Sequence, residues 1–354
     1  MLCCLSIGVN VTMSRREDAR KIQLTGKSTY IVSLPRKWVD EMNLKKGETL
    51  TILEQNDKSL LLIPKGVEKP EKVTEISIDV SSKDRASSII RKVASLYLVG
   101  FNTIRLKSRE DKMGLEQRDL VKDFVRRMLV GTEIIADSRK EMVLQVLLSY
   151  PELSVADALR RISIIAVSMH RDAISSLREI NHGLAEEVIR TDDEVDRFNF
   201  YIIRQLKAAV DDERIIREIG LKNPRDCLGY RLITKSVERV GDHAVSIALN
   251  ALAINKPING EIFGALNEMS SLAVSEFEGS IKALFEKNYA LADEVIERKE
   301  CIEEYEREVL KEILEKKFDA ETTSSLRLIV ESIRRTAEYG SDIAEIVLNL
   351  TVLS

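Results

Sequence analysis

The sequence predicts a multidomain, mainly α protein: a small strand-rich N-terminal unit, a small α/β domain, then two tandem three-helix bundles. Three observations carry this. Only 15 Gly and 6 Pro occur in 354 residues, so turns are few and elements long. Strand-like alternation is confined to the first 150 residues, and from Ser154 onward the apolar spacing is helical. Apolar residues make up 44%, charged residues 32% and aromatics only 5%, a globular composition suited to aliphatic helix packing rather than a large β-sandwich.

Residues 1–14 read as a leader or disordered tail. MLCCLSIGVNVT is mildly apolar, lacks a basic start and is too short for a signal peptide. Met13 precedes a polar stretch that looks like a true start, so residues 1–12 are expected to be an upstream extension of the reading frame or a tail.

Residues 15–68 form the strand-rich unit. Arg20–Leu24 predicts a short strand, Thr25–Lys27 a turn, and Ser28–Leu34 a half-buried strand. Pro35 opens a helix to about Met42, with Ser33 as its cap. Thr49–Glu54 and Ser59–Ile63 form a hairpin across Gln55–Lys58. A unit of roughly 50 residues buries too little core to stand alone.

KGVEKPEKVT (65–74) is a linker. Residues 75–150 then alternate strand Glu75–Val80, helix Lys83–Val99 ended by Gly100, strand Phe101–Leu106, helix Leu115–Leu129, and strands Thr132–Ala136 and Glu141–Leu147. The order βαβαββ predicts a small α/β sandwich.

Residues 154–354 predict six helices: about Val155–Asn181, Leu184–Val210, Arg225–Ala253, Glu261–Lys287, Tyr289–Lys317 and Ala320–Leu353. Short breaks, at His182-Gly183 and Asn288 among others, imply antiparallel bundles over 154–256 and 260–354. The halves align as a duplication. VIRTDDEVDRFNF (188–200) matches VIERKECIEEYER (295–307) at an offset of 107, and SVERVGDHAVSIA (236–248) matches SIRRTAEYGSDIA (332–344) at an offset of 96. One insertion in the Asp211–Asn223 connection accounts for the difference.

The chemistry concentrates on acids in the first bundle. Asp192 and Asp196 are spaced i,i+4, as are Glu238 and Asp242, so each pair projects from one helix face; Asp193 lies beside the first. Like charges at that spacing cost helix stability, which a counter-ion relieves, and all-oxygen sites take Mg, Mn, Ca or oxidised iron. The competing reading is a solvated acidic face.

At these residues the sequence resembles the PhoU family. SVERVGDHAVSIA is similar to its ExxxD signature, and TDDEVDRFNF to the partner DxxxD segment. The resemblance covers about residues 154–353. It implies two tandem three-helix bundles, a role in phosphate uptake, and one or more metal ions (iron, zinc, manganese, magnesium or calcium) held by Asp192, Asp193, Asp196, Glu238 and Asp242. The second bundle departs from the pattern: Lys299, Glu300, Glu303, Arg334 and Glu338 stand at the matching positions, with Asp342 one turn on. Lys299 with Glu303, and Arg334 with Glu338, are placed to form i,i+4 ion pairs in place of a metal site.

RKIQLTGKSTYIVSLPRKWVDEMNLKKGETLTI, within residues 15–64, resembles the swapped-hairpin DNA-binding domains of the AbrB/MazE (SpoVT-AbrB) type. That likeness implies half of a β-barrel completed by a second chain, hence a homodimer, with Arg20, Lys21, Lys27, Arg36 and Lys37 toward double-stranded DNA. Residues 15–66 hold 11 Lys and Arg against 7 Asp and Glu, a local basic excess inside a chain of net charge −4. Any DNA contact is therefore a local patch. The combination of the two domains resembles archaeal phosphate-response regulators.

Several classes are excluded or disfavoured. Cys3, Cys4, Cys227 and Cys301 form no CxxC pair and read as thiols of a reduced compartment. No apolar run approaches 18 residues, so no integral membrane segment is expected. Glu179–His182 is an isolated ExxH, and neither His170 nor His243 has a Glu three residues before it; His182 reads as a helix C-terminal cap. Without a nucleophile constellation or phosphate loop, no enzyme is expected. The leading reading is a cytoplasmic DNA-binding regulator of the phosphate response. The alternative is a metal-binding adaptor for a phosphate transporter or signalling protein, with the N-terminal unit serving dimerisation.

Overall fold

The computed structural model describes residues 18–26, 28–54, 58–64, 75–110, 112–147, 153–210 and 212–352, without the side chains of 213, 299 and 300. The leader, Lys27, the turn at 55–57 and the linker lie outside the described residues. The chain divides into two compact units, Met1–Lys72 and Val73–Ser354.

The first unit holds two hairpins around one short helix. β1 (Gln23–Thr25) and β2 (Thr29–Ile31) pair antiparallel with Leu24 opposite Tyr30. Gly26, at φ +64°, supplies the left-handed turn that other residues adopt at a cost. α1 spans Arg36–Glu41. Pro35 itself is the N-cap residue and no side chain caps the helix, so the expected Ser33 cap is corrected. β3 (Leu50–Glu54) and β4 (Leu60–Pro64) pair antiparallel in full register. Among the described residues of this unit only Pro64 is buried, while Ile22, Leu24, Tyr30, Ile52 and Leu60 are exposed.

The second unit begins with the predicted βαβαββ order. β5 (Glu75–Val80), α2 (Ala86–Val99), β6 (Thr103–Ser108), α3 (Leu115–Met128), β7 (Thr132–Asp137) and β8 (Glu141–Val146) form a sheet in the order β5-β6-β8-β7. β5 and β6 are parallel and the remaining pairs antiparallel. Ile89, Val93, Tyr97, Val121 and Val125 pack with Ile104, Leu106, Met142 and Leu144. The alternate positions Glu75, Asp79 and Lys107 are exposed, as a half-buried sheet requires.

The first bundle comprises α4 (Val155–Glu179), α5 (His182–Val210) and α7 (Asp226–Leu252), with the short α6 (Glu213–Glu218) in the connection read as an insertion. The second comprises α8 (Gly260–Glu286), α9 (Tyr289–Glu297), α10 (Lys299–Glu315) and α11 (Ala320–Thr351). The predicted single helix Tyr289–Lys317 is therefore two. It is interrupted at Arg298, where Cys301 N–H bonds back only three residues, and no Pro or Gly marks the break. At four other helix starts a side chain caps: Ser154, Asn259, Asn288 and Asp319 each accept a backbone N–H of the following turn, worth about 1 kcal/mol apiece.

One hydrophobic core runs through both bundles. At the crossing of α4, α8 and α11 it encloses a polar triplet. The imidazole of His170, fully buried, lies 3.0 Å from Ser270 Oγ and 3.3 Å from Thr336 Oγ1. Burial lowers its pKa to about 4, so it is neutral.

Candidate functional site

α5 and α7 place the first-bundle acids as the motif spacing requires. Glu238 is buried, Asp192 and Asp196 are half-buried, and Asp242 is exposed. Gly241 brings the α7 backbone onto α5: a Cβ there would lie 3.3 Å from Asp192 Oδ1. That oxygen is buried and has no hydrogen-bond partner. Burial, reinforced by Asp196, Asp242 and Glu238, raises the Asp192 pKa to about 7. Burial, with Glu238 and Asp242, raises that of Asp196 to about 6. Asp242, exposed as a residue yet partly desolvated at its carboxyl, is raised by that desolvation and by Glu238. These four carboxylates thus share one repulsive field.

Local cations engage part of the set. Lys235 pairs with Glu238, and Arg239 approaches Asp242 at 3.9 Å. Asp193 is engaged away from the other four, in an ion pair with Arg127 of α3. Among the described residues, no three Asp, Glu, His or Cys side chains are drawn together tightly enough to hold a metal ion. The donors nonetheless fit a hard cation in kind, being carboxylate oxygens that repel one another, one of them orphaned. Ligation requires them to turn inward, away from Lys235 and Arg239.

The second bundle fills the corresponding place with cations. Arg334 pairs with Glu338, as expected, and with Glu306 at 3.2 Å, while Arg335 reaches Glu338 at 2.9 Å. The side chains of Lys299 and Glu300 lie outside the described residues. Glu303 and Asp342 are exposed.

In the N-terminal unit, Arg20, Lys21, Arg36 and Lys37 are all exposed. Arg20 meets Asp18 at 2.6 Å and Arg36 meets Asp40 at 3.9 Å. Arg36 and Lys37 occupy the first turn of α1, which has no acid there.

Three features escaped the sequence reading. Arg204 lies in the apolar run NFYIIRQLKAAV and is buried; it donates to Phe101 O at 3.0 Å, Asn102 Oδ1 at 2.6 Å, and Tyr97 O and Gly100 O, fastening the α/β domain to α5. An arginine inside such a run is the signal that was available. His182 does not end α4: it is the first residue of α5, and Asn181 Oδ1 accepts the Leu184 N–H. An open groove of about 560 Å³ runs between α4 and α8, with Ile164, Val167, Ile281 and Phe285 on its walls and Arg160 stacked 4.0 Å over the Phe285 ring. Cys227 and Cys301 are free thiols. Among the described residues no helix is long and apolar enough to cross a membrane.

Tandem helical bundles, each presenting a motif helix pair, define a duplicated all-helical fold, with a small hairpin domain ahead of it in the sequence. The family described as PhoU domain matches residues 159–251 and again 266–347, and the family described as antidote-toxin recognition MazE, bacterial antitoxin, matches residues 23–70. The chain carries two PhoU domains behind a MazE/AbrB-like domain. It is 24% identical over 193 residues to the phosphate-specific transport system accessory protein PhoU homolog 1 of Thermotoga maritima, covering 53% of this chain and 79% of that protein. It is 30% identical over 152 residues to the PhoU homolog of Aquifex aeolicus, covering 40% of this chain and 65% of that protein. The crystal structure of the phosphate transport system regulatory protein PhoU from Streptococcus pneumoniae superposes with a TM-score of 0.49 at 19% identity, over 56% of this chain and 94% of that one.

Proposed function

We propose that the chain is a cytoplasmic, homodimeric, DNA-binding regulator of the phosphate response. The observation that carries this is one chain holding a MazE/AbrB-like domain and two PhoU domains. The N-terminal unit presents its cations and leaves its apolar residues uncovered, with only Pro64 buried among those described. A second copy of the unit supplies the missing core. Arg20, Lys21, Lys27, Arg36 and Lys37 neutralise DNA phosphates. The first bundle binds a divalent or trivalent metal ion through Asp192, Asp196, Glu238 and Asp242. There the metal removes the repulsion among the carboxylates and ties α5 to α7, giving the helical part a state that depends on its ligand.

The test is a mobility shift of a native promoter fragment by the purified full-length protein, across a salt series, with and without phosphate and divalent metal. Salt-dependent binding that responds to either addition supports the reading. Absence of binding at low salt rejects the DNA role. It favours instead a metal-binding adaptor acting on a phosphate transporter or signalling protein, a reading supported by relatives named as transport accessory proteins.

A further inference from the structure

The open groove of about 560 Å³ between α4 and α8 shares no residue with the carboxylate cluster. Val167 and Ile281, both buried, form its floor, and Ile164 and Phe285 its walls. Ile164 leaves 65% of its surface in water.

The duplication provides an internal comparison. At the offset of 107, the floor residues Val167 and Ile281 match Val274 and Ile174, so both halves keep an apolar floor. The walls and ends differ. Ile164 and Phe285 stand against Ser271 and Arg178, and Arg160 and Asp172 against Asn267 and Gly279. The floor belongs to the shared fold, whereas the walls and ends are particular to this groove.

The charges on its rim are paired except at two points. Arg171 meets both carboxylate oxygens of Glu278 at 3.0 Å, and Lys282 lies 4.0 Å from Glu286. Among the described residues Arg160 has no carboxylate partner. Its guanidinium stacks on the Phe285 ring, which leaves the N–H edges of the fork unused. Among the same residues Asp172 has no cation partner, and its carboxylate accepts from Ser168 Oγ at 3.3 Å. Arg160 and Asp172 are separated by about 18 Å along the axis of α4, a little over three turns.

We propose that this groove docks an amphipathic helix of a partner protein, with an apolar face three turns long, an acid at the Arg160 end and a base at the Asp172 end. A helix laid along α4 and α8 sets its ridge of side chains into the groove, as the bundle helices do with one another. Its apolar face covers Ile164 and Phe285 and supplies most of the affinity. Its two end charges fix direction and register, because rim pairs in water are worth only about 0.2–1 kcal/mol each. The docking site stands whether or not the carboxylate cluster holds a metal.

The experiment titrates labelled, helix-constrained peptides of about 16 residues, since free helices of that length are marginal in water, into the full-length chain and follows anisotropy. The probe carries Glu and Lys about 17 Å apart on one face, with Leu between them on that face. The wild type is expected to bind it saturably, and to bind Glu/Glu and Lys/Lys versions about fivefold more weakly. Arg160→Glu should instead prefer the Lys/Lys peptide, and Asp172→Lys the Glu/Glu peptide. Ile164→Ser, at an exposed position whose change spares the core, should weaken every peptide about tenfold. Absence of saturable binding, affinities that ignore the peptide charges, or wild-type binding by Ile164→Ser overturns the proposal. So does self-association of the wild type that excludes the peptide and that Ile164→Ser abolishes, which gives the groove to a second copy of this chain.

Discussion

Ile180 and Lys287, at the duplication offset of 107, share one left-handed conformation, φ 49° and 52°, at the ends of α4 and α8. The residue after each is an asparagine that caps the next helix: Asn181 Oδ1 accepts from Leu184 N–H and Asn288 Oδ1 from Leu291 N–H, both at 3.1 Å. The repeat is therefore written in the backbone as well as in the acidic motifs. Neither left-handed residue is glycine, although side chains pay about 1–2 kcal/mol in that region.

Lys287 is exposed, so replacing it loses little contact. Lys287→Gly should stabilise the protein by about 0.5–1 kcal/mol, the relief of strain exceeding the entropy added to the unfolded chain. Ile180→Gly should gain less, because Ile180 is half-buried. Urea midpoints decide it; a lower midpoint for Lys287→Gly contradicts the strain.

Arg204→Met should cost about 3 kcal/mol or more. It strands Phe101 O and Asn102 Oδ1 without their donor, while Tyr97 O keeps the Gly100 N–H, and unsatisfied buried groups cost about 1–3 kcal/mol each. The loss should appear as proteolysis and hydrogen exchange within residues 75–147 before the helical bundles respond. Unfolding of all of residues 75–352 in a single step with wild-type stability would falsify the anchor role.

Arg20→Ala with Lys21→Ala, and Arg36→Ala with Lys37→Ala, should each weaken DNA binding across sequences. Each lost phosphate contact should lower the slope of log affinity against log salt by about 0.9. These side chains are exposed, so folding should be unaffected and circular dichroism should match the wild type. If both double mutants keep the wild-type affinity and slope, DNA is held elsewhere.

Much of this architecture was legible because it is local. Period-2 and period-3.6 patterns placed every strand of the α/β domain and the bundle helices to within a few residues. The acidic face of α5 and α7 followed from i,i+4 spacing, and the Arg334–Glu338 pair from the same rule. What the sequence could not show depends on distant partners. Asp193 shares the spacing of the cluster but is claimed by Arg127, 66 residues away. The break at Arg298 has no Pro or Gly to announce it, and α6 is a single short helix inside a connection. Lys235 and Arg239, three residues before Glu238 and Asp242, are readable as ion-pair partners by spacing alone.

Metal binding should be confined to the first bundle. In the second, Arg334 is shared between Glu306 and Glu338, so an added cation must break existing pairs and meets a guanidinium. In the first, the cost of the metal-free state has a pH signature. The pKa values of Asp192 and Asp196 rise from 3.8 to about 7 and about 6, so the folded state holds protons that the unfolded chain has released. Their stabilising contribution is full below about pH 4 and is lost as pH rises through 6 to 7. Glu276, raised to about 7 by burial, adds the same sign, while neutral His170 acts oppositely, its contribution complete above its ordinary 6.5. The cluster's share is therefore the difference between the wild type and Asp196→Ala/Glu238→Ala. Metal-free wild type should lose more melting temperature between pH 5 and pH 8 than this variant. A divalent ion at pH 8 should restore it, by about 2.7 kcal/mol at a hundredfold excess over Kd, in the wild type only. Glu303→Ala/Glu338→Ala should keep the metal, with a small loss of stability because Arg335 loses its Glu338 partner and Arg334 keeps only Glu306. Elemental analysis and melts with and without chelator read all of this. Equal metal loss from both double mutants rejects the asymmetry, and a wild-type melt blind to metal rejects the site.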